Sequence, residues 1–217
     1  MDPLHLCIAL TPLAAYLLFL AMLNFGTRPR VLSGIRDSAA IALGIIGLAI
    51  AGPLELFLPE SAAFRFGPFS WMMMLILYLL AAALIILSMR PRLVIYNTTI
   101  EELRPILTAT VEEMDQQSRW AGDSVAMPES GIHMHMDANP SMRNVQLMAS
   151  GSEEDYTSWS KLHWRLHGAF RKTSGRVRNQ NAALFLMLAM MLFFIVIRSV
   201  IQDHETMASA LKELLRM

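Results

Sequence analysis

Four long apolar stretches constrain this chain more than any other feature, because each must be hidden from water along its whole length. Residues 3 to 25, PLHLCIALTPLAAYLLFLAMLNF, carry no formal charge. At a rise of 1.5 Å per residue, a helix of this length covers a hydrocarbon layer of about 30 Å. Residues 39 to 58 (AAIALGIIGLAIAGPLELFL), 69 to 89 (FSWMMMLILYLLAAALIILSM) and 181 to 201 (NAALFLMLAMMLFFIVIRSVI) are apolar runs of similar length, broken only by Glu55 and Arg198. A soluble chain of 217 residues has too small a core to enclose four such helices. The predicted class is therefore a membrane α-helical protein with four transmembrane helices. The first stretch reads as a retained span, since no Lys or Arg precedes it as a cleaved signal would require.

Basic residues set the orientation. The loop from 26 to 38 holds Arg28, Arg30 and Arg36, whereas the loop from 59 to 68 holds only Arg65. The long segment after the third span opens with Arg90 and Arg92 and closes with Arg171, Lys172, Arg176 and Arg178. Lys and Arg close to span ends stay in the cytoplasm. This rule predicts a multi-pass protein of the cell membrane, with both termini extracytoplasmic and residues 90 to 180 inside. Three regions follow: a three-span part over 1–89, a cytoplasmic domain over 90–180, and a fourth span with an amphipathic tail over 181–217. The tail carries Met207, Leu211, Leu214 and Leu215 at helical spacing, which suits a short helix on the outer surface of the bilayer.

Within the second span, Ala40, Gly44, Gly47 and Ala51 fall on or near one stripe. Small residues let backbones approach closely in lipid, so this stripe predicts contact with another span of the same chain in preference to a homo-oligomer or larger membrane complex. Pro12 and Pro53 are expected to disturb their helices. Glu55 is the one acidic residue inside a predicted span. A carboxylate in that setting marks a pathway residue of a transporter subunit, but Pro59 and Glu60 follow so closely that Glu55 is placed among the outer headgroups.

The segment from 90 to 180 reads as a small α/β domain. RLVIYN (92–97) has apolar residues on both faces and fits a central strand. TIEELRPILTATVEEMDQQSRW (99–120) opens with Thr99 and Glu102 as a capping box and places Ile100, Leu103, Leu107, Val111 and Met114 on one face. SVAM, GIHMHMD and MRNVQLMA are short extended segments separated by the turns PESG and ANPS. EEDYTSWSKLHWRLHGAFRKT (153–173) closes the block, with Ser152 and Asp155 at its cap and Tyr156, Trp159, Leu162, Leu166 and Phe170 facing inward. The predicted order is β-α-β-β-β-α, a sheet covered by helices on one face.

GIHMHMD is the stretch closest to chemistry. Alternate strand residues share a face, so Ile132, Met134 and Met136 point at the helices while His133, His135 and Asp137 look outward. Two imidazoles and a carboxylate could hold zinc with an open position, which would make a metal-dependent membrane enzyme. A polar outer face explains the same alternation without any ligand, and Asn144 and Gln146 of the next strand continue it. His163 and His167 lie one helical turn apart, but Lys161 and Arg165 flank them and no Glu follows His163 as a zinc-protease motif demands. They read as a solvated helix face.

The lone cysteine, Cys7, excludes an internal disulfide and a cysteine-only metal cluster. No phosphate-binding glycine loop, nucleophile elbow or kinase signature occurs. A formal net charge of zero gives no reason to expect a nucleic-acid partner. The expected partners are the lipid bilayer and a protein met at His133, His135, Asn144 and Gln146. No cofactor is expected, and the expected role is that of a non-enzymatic scaffold or assembly subunit.

Overall fold

The structure is a computed structural model that describes residues 3–54, 68–151, 155–172 and 180–202. Glu55, Ser152 and the tail from 203 lie outside the described residues. In chain order the elements are α1 (Pro3–Asn24), β1 (Arg30–Ser33), α2 (Gly34–Ala49), α3 (Pro68–Ser88), β2 (Arg92–Tyr96), α4 (Ile100–Met114), β3 (Arg119–Ala121), β4 (Ser124–Met127), β5 (Ile132–Asn139), β6 (Asn144–Ala149), α5 (Tyr156–Lys172) and α6 (Gln180–Gln202). Two compact units emerge. One takes Met1–Ala21, Ala39–Leu87 and Leu184–Met217; the other takes Met22–Ser38 and Ser88–Ala183.

The first unit is helical. Among the described residues, Pro3–Asn24, Gly34–Gly52 and Asn181–Gln202 are long and apolar enough to cross a membrane, while the apolar run Met72–Ser88 within α3 is shorter. Gly44 and Gly47 of the small-residue stripe face α1. A Cβ at Gly44 would lie 2.6 Å from the Tyr16 Cβ, and one at Gly47 only 2.0 Å from the Ile8 carbonyl oxygen. The contact is thus made within the chain, and only glycine fits it. Tyr78 of α3 donates a hydrogen bond of 2.7 Å to the Ala42 carbonyl of α2. Pro53 falls in a π-helical turn over Ile50–Leu54, the kind of local unwinding that accommodates a missing backbone donor.

The second unit is a six-stranded sheet of order β1-β2-β6-β5-β4-β3 in which every neighbouring pair is antiparallel. The expected four strands are present, and two more join them. β1 comes from the first basic loop and pairs with β2, Val31 lying opposite Ile95. β3 pairs with β4 through a two-residue turn in which Gly122 adopts φ 61°, a conformation that favours glycine. The compact unit therefore includes residues 22–38 in addition to the segment from 90 to 180.

Local chemistry accounts for both ends of α4 and the start of α5. The Thr99 hydroxyl accepts from the Glu102 amide at 3.4 Å, and the Glu102 carboxylate accepts from the Thr99 amide at 3.2 Å, which completes the predicted capping box. The helix expected to reach residue 120 stops at Met114. Buried Asp115 ends it, its carboxylate accepting from the amides of Gln117, Glu129 and Ser130. Arg119 and Trp120 are thereby free to start β3. Asp155 caps α5, its carboxylate accepting from the hydroxyls and the amides of Thr157 and Ser158; the Thr157 and Ser158 hydroxyls above all, with the amides adding to them, hold its pKa well below the usual carboxylate range.

The core lies between one sheet face and the helices. Val31, Leu93, Ile95, Val125, Met127, Ile132, Met134, Met136, Val145 and Leu147 meet Leu103, Leu107 and Val111 of α4 and Trp159, Leu162, Leu166 and Phe170 of α5. The predicted inward faces of both helices are buried at Leu103, Leu107, Val111, Trp159, Leu162, Leu166 and Phe170 and partly buried at Ile100 and Met114, but Tyr156, expected to face inward, is exposed in the first turn of α5.

Candidate functional site

On the face of the sheet turned away from α4 and α5, the alternation read from GIHMHMD holds. Ile132, Met134 and Met136 are buried, and His133, His135 and Asp137 are exposed. Cross-strand register assembles the surface around them. His133 lies opposite Ala126, which lies opposite Arg119 of β3. His135 lies between Ser124 and Met148, and Asp137 lies opposite Gln146. The Ser124 hydroxyl sits 3.0 Å from His135 Nδ1, which fixes the orientation of that imidazole. Met148 is an exposed apolar residue in the middle of this patch.

The three candidate ligands follow one another along a single strand. Alternate residues in a strand are separated by roughly 7 Å, whereas ligand nitrogens and oxygens of one zinc ion each stand about 2 Å from it. Among the described residues no group of three His, Cys, Asp or Glu is gathered closely enough to hold an ion.

This face is open over β3–β4–β5 and closed over β2. Val94 and Tyr96, which share it, are buried. The Tyr96 hydroxyl donates to the carboxylate of Asp37 in the first turn of α2. Arg92 reaches the same carboxylate at 3.4 Å and the Ser38 hydroxyl at 2.9 Å. Its other amino group donates to Gln146 Oε1 at 3.4 Å. Gln146 and Asn144 are consequently half-buried, not open. From β6 to β3 the exposed outward residues are Arg119, Ala121, His133, His135, Asp137, Asn139 and Met148. Arg119 escaped notice in the sequence because RWA carries no detectable strand period.

A second feature was not anticipated. α5 turns Tyr156, Trp159, His163 and Trp164 towards a cavity of about 280 Å³, whose other wall is built from Ser33–Arg36 and Met89–Leu93. Gly34 is indispensable to that wall, since a Cβ there would stand 2.1 Å from Arg92 Cγ. His163 is half-buried and its Nδ1 is buried with no hydrogen-bond partner among the described residues, which corrects its assignment to a solvated helix face. Burial lowers its pKa from the usual imidazole value, and the charges of His167 and Arg36 lower it further. Trp164 stands between the two histidines, with edge-on contacts of 5.6 Å to His163 and 6.1 Å to His167. The sequence signal for this cavity was the density of aromatic and basic residues in YTSWSKLHWRLHGAFRK, together with RPR directly after an apolar helix.

No family model, curated protein or solved structure matches the chain.

Proposed function

We propose that the chain is a four-span protein of the cell membrane, without enzymatic activity, whose cytoplasmic domain holds a protein partner on the exposed face of β3–β4–β5. The pairing of β1 with β2 carries this reading. These strands lie on either side of α2 and α3 in the chain and pair over Arg30–Ser33 and Leu93–Tyr96, so both belong to one aqueous compartment. A chain that leaves that compartment through α2 has to return before Arg92. The stretch from 69 to 89 supplies the return, because the 21 residues of α3 rise roughly 31 Å. With α1 before β1 and α6 after α5, four crossings result, and both termini fall on the far side. The clustering of Lys and Arg in the two loops that build the sheet supports the cytoplasm as the shared compartment.

A protein partner suits the exposed face for two reasons. The sheet edges offer little to an added strand, since β3 has 3 residues and β1 has 4, and such short edges resist pairing. Among the described residues the open face presents Arg119, His133, His135 and one exposed methionine against the single carboxylate of Asp137. A partner surface bearing carboxylates around an apolar spot complements it. Site-specific photocrosslinking in cells is the test. A crosslinker at His133 should give a discrete heavier adduct that is lost on His135→Glu, while one at exposed Lys161 on α5 should not. Absence of an adduct at His133, or equal adducts at both positions, would refute the reading.

A further inference from the structure

The cavity beside α5 combines basic and aromatic side chains. Among the described residues it is lined by Arg36, Arg90 and Arg92 and by no acidic residue. Arg92 is occupied by Asp37, Ser38 and Gln146. Arg36 and Arg90 are exposed, and among the described residues neither forms an ion pair. Around the opening stand apolar side chains in water: Trp164 and Tyr156 are each 65% exposed, Ile35 55% and Met89 42%. Exposed aromatics beside unpaired arginines are costly on a surface facing bulk water and are characteristic of the headgroup layer of a bilayer.

Chain connectivity supplies the second line of argument. Arg36 lies in the first turn of α2, one turn before the apolar run that begins at Ala39, and Arg90 follows the last residue of α3, Ser88, by two positions. If α2 and α3 span, both guanidinium groups stand at the level of the lipid phosphates on the cytoplasmic side. We infer that this cavity is a binding site for the headgroup of an anionic phospholipid, its phosphate held by Arg36 and Arg90 and its glycerol and upper acyl region lying against Trp164, Ile35 and Met89. Guanidinium forks match phosphate oxygens in geometry and charge, and a cavity of about 280 Å³ admits a headgroup while the chains remain in the bilayer. The lipid would tie the domain to the inner leaflet and make its presentation of β3–β4–β5 dependent on membrane composition.

This inference rests on the membrane-spanning reading, so that reading is checked first: the full-length chain should stay with membranes after alkaline carbonate washing. Release into the supernatant would sink the spanning assignment and the lipid site with it. With the chain retained, delipidated full-length protein in uncharged detergent is titrated with phosphatidylglycerol, phosphatidylcholine or free glycerol 3-phosphate, and bound lipid is counted by native mass spectrometry. Phosphatidylglycerol should be held at one molecule per chain and raise the melting temperature, and phosphatidylcholine should not. The paired variant Arg36→Gln with Arg90→Gln should weaken retention roughly tenfold or more, while Lys161→Gln with Lys172→Gln, the same charge change elsewhere, should leave it unaltered. Equal losses in both pairs would reduce the effect to net charge and overturn the site. Binding of glycerol 3-phosphate as tight as that of the lipid would identify a soluble phosphate ester as the occupant, and the lipid proposal would fail.

Discussion

Replacing Val31 with aspartate tests whether a short stretch of the first basic loop belongs to a domain whose other strands begin sixty residues later. Val31 is 6% exposed and faces the core opposite Ile95. Removing its side chain from the core forfeits about 1.5–2 kcal/mol of apolar burial. The carboxylate adds a desolvation cost, moderated here because β1 is an edge strand and the charge can turn towards water. A total of roughly 3 kcal/mol is expected, against a domain stability on the order of 5–15 kcal/mol. For a domain near one hundred residues, about 4 °C of melting temperature corresponds to each kcal/mol, so the variant should melt roughly 10 °C or more below the parent. The assay is tryptophan fluorescence of the full-length chain in detergent, read through Trp120, Trp159 and Trp164 of the domain. Arg30→Ala, an exposed neighbour on the same strand, should shift the transition by about 2 °C or less. A Val31→Asp melt indistinguishable from that of Arg30→Ala would show that β1 contributes nothing, and the account of a domain fed by two loops would be wrong.

Met134→Asp places a carboxylate at a fully buried position of β5 and should unfold the domain, costing several kcal/mol. His135→Ala, on the exposed face, should cost roughly 0.5 kcal/mol, and a chelator should leave the melting of the parent unmoved; a chelator-sensitive melt abolished by His135→Ala would revive the metal site. Gly47→Ala drives a Cβ into the Ile8 carbonyl, whereas Gly52 has open space around it, so the first variant and not Gly52→Ala should loosen α1 from α2, measured as faster proteolysis in detergent. His163 titrates below the ordinary imidazole value of about 6.5, so the unfolded chain takes up its proton first and stability falls as pH is lowered through that value. The melting temperature should drop between pH 7.5 and 5.5 and drop less in His163→Gln; identical slopes would refute the assignment.

What the sequence disclosed and what it hid divide along physical lines. Features written within a few consecutive residues were legible. The apolar helices follow from length and hydropathy, the Thr99–Glu102 box from spacing, and the two faces of β5 from a clean period of two. Interactions between distant residues were not legible. RVLS has no alternation and carries an arginine, so β1 exists only because β2 offers an open edge for it. The end of α4 depends on Asp115 meeting amides of Glu129 and Ser130 more than a dozen residues on, and no helical periodicity can announce that. Val94 and Tyr96 read correctly as strand residues buried on both faces, but the group that closes the second face, Asp37, belongs to a helix assigned to the membrane. His163 was misassigned for a related reason. Its neighbours Lys161 and Arg165 suggest water, yet the wall opposite it comes from two other segments of the chain.

The most direct test of the central claim is the sidedness of the two loops that build the sheet. Cys7 is replaced by serine, and single cysteines are placed at exposed Arg28, ahead of β1, and at exposed Asp123, between β3 and β4. Intact cells are treated with a membrane-impermeant maleimide, and labelling is compared before and after permeabilisation. Both positions should be protected in intact cells and labelled together once the membrane is opened. Labelling of one position and protection of the other would place β1 and the rest of the sheet on opposite sides of the bilayer and contradict the account; labelling of both in intact cells would invert its orientation.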